Sequence, residues 1–392
     1  MTNQDLLGRY EAVMMNAFGT PKRAFVSGDG VHLTDADGKS YVDLLAGIAV
    51  NALGHNHPRV VEAITSQLHT LGHVSNFFAT EGQVRLAERL AAAASDRGDA
   101  RVFFANSGAE ANEAAFKLTR LTGRTRIVAM EGSFHGRTIG SLAITHTAKY
   151  REPFEPLPGD VEFVPFGDVA ALEAAVDHRT AAVVLEPIQG EAGVVPAPEG
   201  YLAEARRITS EHGALLWIDE VQTGIGRAGE LLLHRAAGVT ADVVTLAKGL
   251  ANGFPIGACI AVGPAGSLLT PGLHGSTFGG NPVAAAAANA VLDELEGGVL
   301  DNAREVGQWF ADAVEGLHEP LVSHVRGRGL LLGIVLNEPI AAAVVDLALE
   351  AGWVANAPRP DVIRVAPPLV ITADELAGFV HALPELLARA HG

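Results

Sequence analysis

Between residues 100 and 262 the chain repeats one pattern: a short run that is apolar at nearly every position, then a longer stretch with helical spacing. The runs are Arg101–Ala105 ("RVFFA"), Arg126–Met130, Ala181–Leu185 ("AAVVL"), Ala214–Ile218, Val243–Leu246 and Ile256–Val262. Helical spacing covers Ser107–Leu121 and Tyr201–His212. A strand with one wet face alternates apolar and polar residues, whereas a strand without alternation is covered on both faces. Such strands belong to mostly parallel sheets flanked by helices. The runs are too short for periodicity to separate strand from buried helix, so brevity and flanks decide.

The two ends read differently. Residues 25–45 alternate like antiparallel strands around a turn at "DADGK". Residues 59–71 have a helical pattern opened by Pro58. After Asp293 the chain turns helical, "GRGLLLGIVL" reads as one strand and "VIRVAPPL" as another, and a last helix starts at Asp374. The expectation is a large α/β domain over 50–290 and a smaller α+β domain built from 1–49 and 291–392. A chain of 392 residues suits such a division.

Charge narrows the partners. Twenty-eight basic residues face 45 acidic ones, net −17, and no dense basic run occurs. Nucleic acid and anionic membrane surfaces are therefore excluded as expected partners. Gly249–Leu292 holds no charged residue, but its longest stretch free of glycine and proline, Val283–Leu292, falls short of the roughly 20 residues a membrane span needs. One cysteine, Cys259, rules out an intrachain disulfide, and the N-terminus lacks a basic segment followed by a long apolar core. Both fit a cytoplasmic location.

"WIDEVQTGIGRAG", residues 217–229, contains Gly224, Gly226 and Gly229 in the order G-x-G-x-x-G. That fingerprint points to a nicotinamide-dependent oxidoreductase when the glycines follow a strand directly, open a helix and precede an acid at the end of the next strand. Here Asp219–Thr223 intervene, and the nearby acid, Asp242, falls at the start of the next strand. A glycine-rich turn accounts for the pattern better.

The acid before the glycines is more telling. Asp219 ends one apolar run, and Lys248 ends the next, "VVTLAKG", 29 residues later. Strand ends are where α/β sheets build sites, although spacing alone favours a structural ion pair. "NSGAEANEAAFKL" (106–118) sets Ser107, Gly108 and Ala109 at a helix start, where free N–H groups and the helix dipole attract phosphate. Ser107 with Glu110 is equally a capping box that needs no ligand. "HGSTFGGNP" (274–282) places Ser276 and Thr277 between glycines and alone is a turn. A lysine, a strand-end aspartate and a phosphate cradle together describe pyridoxal 5′-phosphate: the lysine bonds to the aldehyde, and the aspartate keeps the ring nitrogen protonated. His55 and His57 lack a third ligand at metal spacing, so no metal site is expected.

"FFANSGAEANEAAFKLTR", "GSFHGRT", "LEPIQGEAGV", "LWIDEVQTGIGRAG", "LAKGLANGFPIGA" and "GSTFGGNP" resemble, in order, the motifs of the class III (ornithine-type) aminotransferases. "GHNHP" and "IRVAPPL" extend the likeness to nearly the whole chain. The resemblance implies a fold type I transferase dependent on pyridoxal 5′-phosphate, working as a homodimer with active sites at the subunit interface. It implies that Lys248 carries the cofactor and shuttles a proton and that Asp219 binds the ring nitrogen. Phe134 and Val221 would lie on the two ring faces, and Gln222 would reach the 3′-oxygen. Ser107, Gly108 and Ala109 would hold the phosphate, completed by Thr277 of the neighbouring subunit. Arg137 and Arg364, with Ser276 nearby, would bind substrate, and Glu191 would pair with Arg364 and move aside for glutamate. His135 is expected to pack behind the site, and Cys259 to be inert core.

Arginine presents a planar fork matched to carboxylate, so two arginines suit glutamate and 2-oxoglutarate. A permanently free Arg364 would grip any α-carboxylate and bring the α-amine to the cofactor; a glutamate that neutralises it lets a distal amine react instead. Ile48 and Phe18 stand where ornithine-specific relatives typically carry polar aromatic anchors. Their absence favours a donor with an acylated α-nitrogen; the overall length and the "AGIAVNALGH" pattern put acetylornithine first and leave succinylornithine, N-succinyl-diaminopimelate, ornithine and 4-aminobutyrate as alternatives.

Overall fold

The computed structural model describes residues 1–392. A seven-stranded sheet forms its centre, in the order Ala100–Ala105, Gly257–Val262, Val243–Leu246, Leu215–Asp219, Thr180–Leu185, Arg126–Met130, Asp160–Val164. Only Gly257–Val262 runs against its neighbours; the other pairings are parallel. Thr180–Leu185, Val243–Leu246 and Gly257–Val262 are buried at every position, which is why their sequences do not alternate. The expected helices form as Gly108–Arg120 and Tyr201–His212.

The first and last parts of the chain meet in smaller sheets. Phe25–Asp29, His32–Asp35 and Ser40–Asp43 form an antiparallel meander, and Trp353–Val354 adds to it in parallel, Trp353 opposite Val42. A second sheet takes the order Val322–Arg328, Leu331–Leu336, Val362–Val365, Asn356–Arg359. Here one expectation is corrected: "GRGLLLGIVL" is not one strand. Gly327 and Arg328 close the strand Val322–Arg328, and the chain reverses at Gly329 to begin Leu331–Leu336. Gly329 has a φ of 57°, and a Cβ there would lie 2.5 Å from the Ala228 carbonyl carbon, so only glycine makes this reversal.

No helix opens at the three glycines after Asp219. Turns follow, and the next helix is the short Leu233–Ala236. Glu220 fastens this loop: its carboxylate accepts the Leu233 N–H (3.0 Å), the His234 N–H (2.9 Å) and the Thr223 hydroxyl (2.9 Å). Arg227, fully buried, donates to the carbonyls of Leu330 (2.9 Å) and Pro367 (2.5 Å), tying the loop to the C-terminal sheet. The motif is thus a packed connection and not a phosphate cradle. No helix is long and apolar enough to cross a membrane.

Candidate active site

A cavity of about 390 Å³ lies past the carboxyl ends of the central strands. Five of the seven strands deliver residues there: Asn106 and Ser107 after Ala105, Phe134 and His135 beyond Met130, Glu186 after Leu185, Asp219 itself, and Lys248 just past Leu246. In parallel α/β sheets this edge is the usual binding crevice.

Asp219 and Lys248 come from adjacent parallel strands; Asp219 is in register with Thr245, three residues before Lys248. Asp219 is buried and fixed at three points. Its Oδ2 takes a hydrogen bond from Asn112 Nδ2 (2.8 Å) and pairs with His135 Nδ1 (2.7 Å), and its Oδ1 accepts the Val221 N–H (2.9 Å). His135 thus touches Asp219 directly. Burial disfavours its charged form, but the hydrogen bond and charge of Asp219 outweigh that and raise its pKa. Lys248 adopts a left-handed φ of 43°. Burial, opposed in part by Glu191, lowers its pKa from 10.5 to about 8. A lysine in that range has a usable fraction of neutral amine at physiological pH.

Ser107 caps the helix Gly108–Arg120, accepting the Glu110 N–H at 3.2 Å. The Glu110 carboxylate reaches back to the Asn106 N–H (2.5 Å), one residue earlier than a standard capping box would place it. The first-turn N–H groups of Gly108 and Ala109 have no acceptor within the helix, and both residues line the cavity. A Cβ on Gly108 would lie 2.7 Å from Val221 Cγ1, so the helix start and the segment after Asp219 meet only because residue 108 lacks a side chain. Phe134 lines the same cavity, its N–H donated to Glu186 Oε1 at 3.0 Å.

The two arginines differ in state. Arg137 is exposed at the cavity wall, its guanidinium 3.4 Å from the centre of the Tyr150 ring, with no acid paired to it. Arg364 is buried behind the wall. Its Nη1 donates to Glu191 Oε1 (2.5 Å) and Gln222 Oε1 (3.3 Å), and its Nε to Asn356 Oδ1 (3.1 Å). Burial works against the charge on Glu191, but Arg364 and Lys248 outweigh it and hold its carboxyl below the usual range.

Most of the expected residues therefore converge: Ser107, Gly108, Ala109, Phe134, Arg137, Glu191, Asp219, Val221, Gln222 and Lys248 line one cavity. Ser276 and Thr277 stand apart from it. Ser276 Oγ accepts from Asn106 Nδ2 (3.2 Å) and the Gly279 N–H (3.0 Å), and Thr277 is exposed. Four further residues were not singled out from the sequence: Asn112, Tyr150, Glu186 and Asn356. Glu186 carried the same signal as Asp219, an acid ending an apolar run, and burial pushes its carboxyl up to about 7. Asn112 is a polar residue on the buried face of an amphipathic helix. Tyr150 and Asn356 had no local signal.

The class III aminotransferase family (Aminotransferase class-III) matches residues 15–387. The chain belongs to the class III aminotransferases. This class III aminotransferase is 60% identical to the acetylornithine aminotransferase of Mycobacterium tuberculosis, across 100% of its own length and 98% of the relative's. The crystal structure of N-acetylornithine aminotransferase from Stenotrophomonas maltophilia is 36% identical with a TM-score of 0.83, covering 98% of each chain. The ornithine aminotransferase of Toxoplasma gondii is 31% identical with a TM-score of 0.93, over 100% of this chain and 96% of that one; its structure contains pyridoxal phosphate at partial occupancy. The expected fold type I architecture is the one found, and class III aminotransferases use pyridoxal 5′-phosphate. The donor set here fits that group: a buried amine for the aldehyde, an anchored carboxylate for the ring nitrogen, and a helix start with a hydroxyl for the phosphate.

Proposed function

We propose that this class III aminotransferase moves the distal amino group of N2-acetyl-L-ornithine to 2-oxoglutarate, giving N-acetyl-L-glutamate 5-semialdehyde and L-glutamate, as a step of arginine biosynthesis. The observation that carries this reading is the contrast between the arginines: Arg364 covered by Glu191, Arg137 open. With Arg364 covered, an amino acid is held by Arg137 alone, which suits a donor gripped by its α-carboxylate while the far amine reacts. With Glu191 displaced, both arginines are free and suit a dicarboxylate. The relatives named acetylornithine aminotransferase support the same donor.

The cofactor supplies an aldehyde for the amine and a ring that takes up electrons. The protein's own residues do the rest. Lys248, whose pKa burial lowers to about 8, would take or return the proton at the reacting carbon. Asp219, kept in place by Asn112, His135 and the Val221 N–H, would hold the ring nitrogen. Phe134 and Val221 would lie against the ring, Gln222 would reach its 3′-oxygen, and Ser107, Gly108 and Ala109 would hold the phosphate.

Thr277, and Ser276 beside it, would act across a dimer. The 276–279 loop is tied to Asn76, whose Nδ2 donates to the Ser276 and Gly279 carbonyls (both 3.0 Å). Phe77 and Phe78 follow Asn76, and Phe278 follows Thr277; all three rings are exposed in the single chain. An apolar patch of that kind around a polar loop suits burial against a second copy. The function is tested by ranking amine donors by kcat/KM with 2-oxoglutarate as acceptor, acetylornithine being expected first.

A further inference from the structure

We propose that Asn356 is a specificity-determining positioning residue: by occupying Nε of Arg364, it forces an incoming carboxylate to compete with Glu191 for the same edge of the guanidinium. This rests on the proposed exchange at Arg364. Asn356 and Arg364 are cross-strand partners in the C-terminal sheet, and Asn356 Oδ1 accepts from Nε at 3.1 Å. Glu191 and Gln222 take Nη1. The remaining nitrogen, Nη2, is buried and has no partner.

A guanidinium offers a carboxylate two bidentate edges, one through Nε with its neighbouring terminal nitrogen and one through the two terminal nitrogens. Asn356 closes the first. The end-on edge remains, made of the vacant Nη2 and of Nη1, and Nη1 is where Glu191 sits. A carboxylate therefore binds in two-point fashion only after Glu191 leaves, which makes the covered and open states mutually exclusive. Without Asn356 the side edge is open, Glu191 can stay, and the site loses its sharp distinction between donor and dicarboxylate. Asn356 makes no hydrogen bond to Lys248 or Asp219 and lies outside the cavity lining, so this acts on selectivity and not on proton transfer.

The test is a double-mutant cycle on glutarate affinity, measured by calorimetry with the holoenzyme. In the otherwise unaltered protein, Glu191→Ala removes the competitor and tightens glutarate by about tenfold, as expected for one charge-assisted contact. In an Asn356→Ala background the same change is expected to tighten it by about twofold or less, since glutarate no longer has to displace Glu191. Equal tightening in both backgrounds would overturn the proposal. Half-reaction kinetics give a second readout: Asn356→Ala should lower the ratio of acetylornithine to ornithine kcat/KM, mainly through KM. An unchanged ratio with an unchanged glutarate cycle contradicts the role of Asn356, whereas a parent enzyme that does not favour acetylornithine contradicts the underlying functional reading instead.

Discussion

Gly108 and Val221 occupy space that a single extra methyl group would fill: a Cβ on Gly108 would stand 2.7 Å from Val221 Cγ1. One residue starts the helix proposed to hold the phosphate, and the other follows the aspartate proposed to hold the ring nitrogen. The spacing of two cofactor contacts is therefore set by an absent side chain. Gly108→Ala should force the helix start and residue 221 apart at a cost of about 1–3 kcal/mol. Pyridoxal phosphate should bind at least about tenfold more weakly, with the fold kept. Cofactor titration by absorbance and far-UV circular dichroism check this; unaltered affinity would count against the assigned cradle.

Lys248 should react with pyridoxal phosphate through its neutral form. Because burial brings its pKa down to about 8, the rate of appearance of the visible absorption band in apoprotein should rise with pH and level off above about 8. Lys248→Ala should give no borohydride-trappable band. A rate still climbing through pH 10 would mean that the amine is solvated like an ordinary lysine.

Glu191→Gln should weaken the cover on Arg364 without emptying the space. The expected outcome is a rise in reactivity with free ornithine relative to acetylornithine, by about three- to tenfold in kcat/KM, as a carboxylate outbids a neutral amide for arginine. Stopped-flow measurement of the two half-reactions checks it, and an unmoved preference would contradict the gating role.

The His135–Asp219 pair makes stability depend on pH. The folded-state pKa of His135 is raised, the hydrogen bond and charge of Asp219 prevailing over its burial. Its contribution is therefore complete below the unfolded value near 6.5 and is lost as pH rises through the higher folded value. In urea unfolding of the apoprotein, His135→Gln should cost about 1–3 kcal/mol at pH 6 and less at pH 9. Equal costs at both pH values would show that the ring is neutral throughout.

Subunit exchange tests the place of Thr277. Mixing two inactive variants, Lys248→Ala and Thr277→Asp, should yield hybrid dimers with one site free of both changes and restore up to about half of the activity per dimer expected for one intact site of two. No recovery in a mixture shown by mass to contain hybrids would place Thr277 in the same site as its own Lys248.

The sequence made the central sheet readable because its strands are buried on both faces and so are apolar throughout, as in Thr180–Leu185. The same property exposed Asp219 and Lys248, charged residues ending such runs. It also hid things. The reversal at Gly329 does carry a local signal, Gly327-Arg328-Gly329, but the apolar run from Leu330 follows at once, so a hairpin read as one strand. Asn356 and Tyr150 reach the arginines through sheet pairing and loop packing, which no local spacing encodes. Glu186 ends an apolar run as Asp219 does, and the same signal marks it. The glycines after Asp219 drew attention as a nucleotide motif, yet they shape a loop that Glu220 and Arg227 lock in place.

The most direct test is a ranking of amine donors by kcat/KM with 2-oxoglutarate as acceptor, across acetylornithine, succinylornithine, ornithine, N-succinyl-diaminopimelate and 4-aminobutyrate. Acetylornithine is expected first, ahead of free ornithine and 4-aminobutyrate by at least about tenfold, the scale on which a neutralised Arg364 discriminates. Free ornithine or 4-aminobutyrate in first place would contradict the proposed function.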